Sequence, residues 1–233
     1  PGAQQPEDFQ PLLEAIAART HLPIALDGVF RWVVFQHSRV NPMVAVANRY
    51  FGVFQSGEIK TRGIEGRRRD TAPFVAQAQT EMLMLLAQAE TAAQFGAAAR
   101  QVVRLARRKL AALRAGEVEP AQLVMRQRLS RAPESYASPS PAARAAQQLA
   151  AVGKPVRVGQ YVKFVYVRTA QKVLAWNLPE RPAADLIDGG RYREFLLRAT
   201  ASVLQPLGIA ADDLASWIEA DARIVPLPQL AWG

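Results

Sequence analysis

The chain has 233 residues, half of them hydrophobic, with 29 Lys and Arg against 20 Asp and Glu, a formal charge of +9 and no cysteine. The missing cysteines exclude a disulfide framework and any thiolate metal site. No run approaches the about 18 apolar residues that span a bilayer, and the first residues lack a charged-then-apolar secretory pattern, so a cytoplasmic location is expected. The charge favours a polyanionic partner, nucleic acid first and an anionic membrane surface second.

In chain order, residues 1–6 are polar and carry no message. Glu7 to Thr20 places Phe9, Leu12, Leu13, Ile16 and Ala17 at helical spacing, with acids early and Arg19 late, which predicts a short amphipathic helix. Val29 to Gln36 predicts a mostly buried strand. His21 and His37 have no acid at ligand spacing and are read as structural.

Asn48 to Asp70 (NRYFGVFQSGEIKTRGIEGRRRD) predicts a basic β-hairpin turning at Gln55-Ser56-Gly57-Glu58, followed by an arginine run. Alternation on a strand sets Lys60 and Arg62 on one side together, a cationic pair suited to a phosphate backbone. The plain alternative is that these side chains are simply solvated.

Asp70 and Thr71 are read as caps for a helix from Phe74 to about Ala93, with Gly96 marking a break or kink. Met82 and Met84 are read as core filler. A second helix is predicted from Ala97 to Ala115. Arg100, Arg104, Arg107 and Arg108 fall on one stripe at i, i+4, i+7 and i+8, while Val102, Val103, Ala106, Leu110 and Leu113 cover the opposite arc. Such a stripe, without acids at i+4, repels itself by a few tenths of a kcal/mol per pair (on the order of 0.2–0.5). That cost sets a phosphate-facing role level with the ordinary reading of a charge run as a solvated face. An amphipathic membrane helix is the weaker reading, because the apolar face lacks an aromatic anchor.

Gly116 to Pro120 reads as a helix stop and linker, so two modules are expected, 1–116 and 117–233. Leu123 to Ser130 predicts a strand with a basic rim (Arg126, Arg128), followed by Arg131 and an irregular Ser138-Pro139-Ser140-Pro141 connection. An alanine-rich helix from Ala142 to Val152 and strands Tyr161 to Val167 and Lys172 to Trp176 come next, then a helix from Gly189 to Leu207. Asp212-Asp213 read as first-turn residues of a further helix, and Asp185 and Asp188 as turn residues. The end, Ile224 to Gly233 (IVPLPQLAWG), is held extended by Pro226 and Pro228 and offers Leu230 and Trp232 as apolar anchors, either for a partner groove or for the chain's own surface.

Several of these stretches resemble one family. Asn48-Arg49-Tyr50 is similar to the Lys-x-Tyr element of family B DNA polymerases, with Asn48 where lysine is usual. Lys60-Thr61-Arg62-Gly63-Ile64-Glu65 followed by Arg68-Arg69-Asp70 resembles the T-R-G-L-E-x-x-R-R-D segment that follows it. The order of elements from Leu123 to Gly208 resembles the thumb of archaeal-type members, so the likeness runs from about Phe9 to Leu214. Gln229-Leu230-Ala231-Trp232 faintly resembles a Q-L-x-L-F tail that holds a sliding clamp, one residue short.

The resemblance implies an α+β chain made of the end of a palm, with antiparallel strands and packed helices, and then a mostly helical thumb carrying a small β-sheet. It implies contact with a primer–template duplex through Arg49, Tyr50, Lys60, Arg62, Arg67, Arg68, Arg69, Arg100, Arg104, Arg107, Arg108, Arg126, Arg128 and Arg131. The Asp-Thr-Asp, D-x-x-S-L-Y-P and K-x-x-x-S-x-Y-G elements of the family are not in this sequence. Nucleotidyl transfer needs converging carboxylates on two metal ions. No catalytic or metal-binding residue is therefore assigned here, Mg2+ is expected only for a complete polymerase, and the chain by itself is expected to catalyse nothing. Expected partners are the duplex and the remainder of a polymerase on an upstream segment or a separate subunit, with the sliding clamp added only on the reading in which the tail docks into a partner groove and does not fold back on its own chain. A stand-alone nucleic-acid-binding module and a protein-interaction module without DNA affinity are the alternatives.

Overall fold

The structure is a computed structural model that describes residues 5–38, 40–41, 44–135, 138–209 and 211–219. The expected extended end, residues 224–233, lies outside the described residues. The chain divides into two compact units, Pro1–Arg62 and Gly63–Gly233. The division falls after the hairpin and not at Gly116, because helices from the far end of the chain return to pack on those that precede Gly116.

The first unit holds helix α1 (Gln10–Thr20) and an antiparallel sheet in the order β1 (Phe30–His37), β2 (Ala45–Phe54), β3 (Ile59–Arg62). The turn lies where Ser-Gly predicts it. Phe54 N–H donates to Glu58 O at 2.9 Å, and Gly57 takes φ 87°, a left-handed conformation that costs glycine little. Gly52 is required for a different reason. A Cβ there would lie 2.7 Å from Trp32 O and 2.9 Å from the Phe30 ring, so the aromatic packs directly onto the backbone of β2. Helix α1 forms as predicted, yet buries none of its residues, and Leu12 is 56% exposed.

The second unit packs α2 (Pro73–Ala87) on α3 (Ala92–Arg114) and α5 (Gly189–Leu204), with α3 also touching α5 and α6 (Ala211–Glu219). Met82, Leu86, Val102, Ala106, Leu110, Tyr192, Leu196 and Val203 form its core. The apolar arc predicted for α3 is the buried one, and Met82 is core while Met84 is exposed.

Two boundaries differ from the sequence expectation. Gly96 lies inside α3, and the break comes earlier, where Thr91 and Gln94 form a capping box that satisfies the first amides of α3. Asp70 and Thr71 do not cap α2. Ala72 is its N-cap residue, Asp70 pairs with Arg68, and Thr71 Oγ1 donates to Glu65 O at 2.7 Å.

A second antiparallel sheet, in the order β4 (Met125–Arg128), β5 (Tyr161–Tyr166), β6 (Val173–Ala175), packs with α4 (Pro141–Ala151). The Gln148 side chain of α4 both accepts from Ala175 N–H and donates to Val173 O, each at 2.8 Å, so one amide satisfies the backbone of β6. Asp188 caps α5, accepting from Arg191 N–H at 3.1 Å, and Asp212 and Asp213 fall in the first turn of α6. Among the described residues no helix is long and apolar enough to cross a membrane. Antiparallel sheets with packed helices make this an α+β chain.

Candidate nucleic-acid interface

Registers decide which cations share a surface in the first unit. Tyr50 pairs with Arg62 and Gly52 with Lys60, so Tyr50, Lys60 and Arg62 share one face, as alternation predicts for the two cations. Arg49 precedes the part of β2 that pairs with β3 and is half-buried. The Tyr50 ring packs on Phe35 at 5.5 Å and edge-on to Phe30 at 6.2 Å. Lys60 is not a free cation: its Nζ sits 2.5 Å from an Asp27 carboxylate oxygen, and that bond holds its pKa above the usual lysine value.

In the second unit the arginine run leaves a Glu65–Arg67 turn that is anchored from inside. Gln79, buried on α2, accepts from Gly66 N–H at 2.6 Å and donates to Glu65 Oε2 at 3.1 Å and to Ala199 O at 3.0 Å. Arg67 is exposed. Arg68 lies in a two-bond fork with Asp70 at 3.0 and 2.9 Å, which holds the Asp70 carboxyl below its usual pKa. Arg69 turns the other way, its Nη1 3.4 Å from the Tyr161 hydroxyl.

That tyrosine is the centre of a basic cluster. It faces Arg128 across the β4–β5 ladder, and the Arg126 guanidinium lies 3.9 Å from its ring centroid. Arg128 is steadied by donating from Nε to Gly159 O at 2.9 Å. Arg69, Arg126, Arg128 and Tyr161 line one groove of about 410 Å³, joined by Asp70 and by Ser140, the residue that caps the N-terminus of α4. The hydrogen bond from Arg69, with the charges of Arg69, Arg126 and Arg128, lowers the phenol's pKa below its usual value. Three guanidinium groups, a phenol and a helix N-terminus thus surround one opening, a donor set of the kind that suits anionic oxygens. Arg131 is exposed beyond β4.

The α3 stripe separates into two kinds of residue. Arg100, Arg104 and Arg108 are exposed and make no ion pair among the described residues, whereas Arg107 donates from Nε (2.9 Å) and Nη2 to the Trp217 carbonyl and so ties α3 to α6. The sequence could not reveal that bond, made across 110 positions. Nor did it reveal Tyr161, whose role depends on register and not on any local motif. Among the described residues no group of three or more His, Asp or Glu side chains could hold a metal ion.

Comparison with known proteins follows the same lines. Over 212 residues, 91% of this chain, the sequence is 22% identical to DNA polymerase 1 of Saccharolobus solfataricus, covering 23% of that protein. Against DNA polymerase 1 of Sulfolobus acidocaldarius it is 23% identical over 217 residues, 93% of this chain and 24% of that protein. A DNA polymerase of Thermococcus sp. strain GE8 is 26% identical over 170 residues, 71% of this chain and 10% of that protein. The chain thus spans about a quarter or less of the length of these relatives. The solved family B DNA polymerase of Pyrobaculum calidifontis shares the fold with a TM-score of 0.61 at 21% identity, over 87% of this chain and 25% of that one. Residues 40–192, about two thirds of the chain, match the family model for DNA polymerase family B, and the chain belongs to that family.

Proposed function

We propose that this chain is the palm-end and thumb portion of a family B DNA polymerase and that it grips the primer–template duplex without reading its sequence. The observation that carries the reading is the convergence of Arg69, from one stretch of chain, and of Arg126 and Arg128, from another, on Tyr161 around one groove. Cations aimed at phosphates position a duplex but carry no base information. Arg62, Tyr50, Arg100, Arg104 and Arg108 are further contacts on this reading, and Arg107 acts instead by holding α6. The carboxylates and Mg2+ of nucleotidyl transfer belong to another part of the polymerase, on the same polypeptide or on a separate subunit. A sliding clamp bound through Gln229 to Trp232 would be a further partner on the same reading.

The test is the salt dependence of binding to a short duplex. Each lost phosphate contact reduces the slope of log affinity against log salt by about 0.9, so Arg69→Ala, Arg126→Ala and Arg128→Ala together reduce it by about 2.7. The loss should be equal for duplexes of unrelated sequence. An unchanged slope would overturn the assignment.

A further inference from the structure

The outer face of the second sheet does more than close the groove. Arg126 pairs with Lys163, and Trp176 N–H donates to Lys163 O at 2.8 Å, which extends the β5–β6 ladder one residue past Ala175. Arg126, Lys163 and Trp176 therefore form a row across three adjacent strands, with neighbours about 5 Å apart. Alternation puts Arg128 and Tyr161 on the same face, while Met125, Val162 and Phe164 turn to the buried side.

Each aromatic on this face carries a fixed guanidinium. Arg126 sits over Tyr161, and Arg181 sits 4.0 Å from the Trp176 ring centroid while donating from Nη1 to the Trp176 carbonyl at 3.0 Å. Lys163 between them is exposed, and Lys154 adds a cation at the far end, its Nζ donating to Asn177 O at 3.2 Å. Glu180 is the acid nearest in sequence. Past Trp176 in the chain lies a mostly apolar groove of about 440 Å³, lined by Leu174, Leu178, Pro179 and Leu186, with Glu180 and Arg181 also on its wall.

We infer that this face binds single-stranded nucleic acid, with Lys163 and Arg126 on the backbone and unstacked bases held against the Trp176–Arg181 pair and the groove beyond it. Cations alone would serve duplex and single strand equally. Rings interleaved with cations on a sheet, next to an apolar groove, serve only bases whose faces are exposed, and a duplex hides those faces. The row also continues from the basic groove, so a strand leaving a bound duplex could pass directly onto it. The inference does not depend on the duplex reading.

The experiment measures, on the full chain at low salt, the affinities of a labelled 20-nucleotide oligo(dT) and a labelled 20-base-pair duplex. Lys163→Ala with Arg181→Ala, both exposed side chains, should weaken oligo(dT) at least fivefold and leave duplex binding within twofold. Trp176→Phe should abolish most of the tryptophan quenching that oligo(dT) produces in the parent chain. Equal weakening of both ligands would make the row part of a duplex surface and overturn the inference. Unchanged oligo(dT) affinity would overturn it as well. A parent chain that binds oligo(dT) but no duplex would defeat the proposed function and leave this inference standing.

Discussion

Replacing Gln79 by leucine probes how the arginine run is held in place. The amide is 1% exposed and makes three hydrogen bonds, to Gly66 N–H, Glu65 Oε2 and Ala199 O. Leucine keeps the apolar stem but leaves the Ala199 carbonyl and the Gly66 amide without that partner. An unsatisfied buried group costs about 1–3 kcal/mol, and the Glu65–Gly66 turn is only partly buried, so a total of about 3 kcal/mol is expected. For a chain of this size that lowers Tm by about 6–12 °C. Urea denaturation at neutral pH measures the energy directly. Because the same turn leads into Arg67, Arg68 and Arg69, duplex affinity well below Tm should also fall, through a smaller salt slope. Gln79→Glu should not rescue it, since a second carboxylate would face Glu65 and could not donate to Ala199. A Gln79→Leu chain within about 0.5 kcal/mol of the parent would refute the anchoring argument, because surface substitutions alone reach that size.

Asp70→Asn removes the negative charge beside the basic groove and releases Arg68, so on the proposed function duplex affinity at low salt should rise severalfold; a fall would show that the Arg68 fork is itself needed for binding. The same variant has a pH signature. Arg68 depresses the Asp70 pKa, so the pair stabilises the folded chain above the unfolded carboxyl pKa of about 3.9 and loses that contribution as pH falls through the folded value. The stability difference between parent and Asp70→Asn should therefore shrink below about pH 4, as read by thermal melts. Gly52→Ala drives a methyl against Trp32 O and the Phe30 ring, and should cost about 1–3 kcal/mol by overpacking, measured by the same melts. Arg69→Ala should raise the ionisation pH of Tyr161, read as the ultraviolet titration difference between chains with and without Tyr161→Phe.

What was legible in the sequence depended on range. Period-two alternation put Lys60 and Arg62 on one face, and period 3.6 separated the exposed Arg100, Arg104 and Arg108 from the buried Val102, Ala106 and Leu110. Short-range competition was harder to read. Gly96 looked like a break, but interior glycine costs a helix only about 1 kcal/mol, and the Thr91–Gln94 capping box fixed the boundary elsewhere. Long-range partners were invisible. Arg107 sits on the arginine stripe by spacing, yet its hydrogen bonds go to Trp217, and Asp70 sits at a capping distance from α2 yet spends its carboxylate on Arg68. The basic groove belongs to the same class. Nothing local in Tyr161 marks it, because only the β4–β5 register brings it to Arg128 and Arg126.

The groove also implies a coupling between binding and stability. Arg69, Arg126 and Arg128 repel one another across a half-exposed tyrosine, with Asp70 the one carboxylate lining the opening among the described residues. The part of that repulsion between Arg69 and the other two is present only when the chain is folded, because folding is what brings Arg69 to the strand that carries both Arg126 and Arg128. A bound phosphate backbone replaces it with attraction and binds the folded chain far more tightly than the unfolded one. Ligand at about 100 times its dissociation constant should then stabilise the fold by about 2.7 kcal/mol. Added salt acts on the two terms in opposite directions. It screens the repulsion and so stabilises the free chain, while it weakens the complex by restoring counterions to the duplex. The melting temperatures of free and duplex-bound chain should therefore converge as salt rises, and parallel curves would mean that the three guanidinium groups neither repel one another appreciably nor meet phosphate.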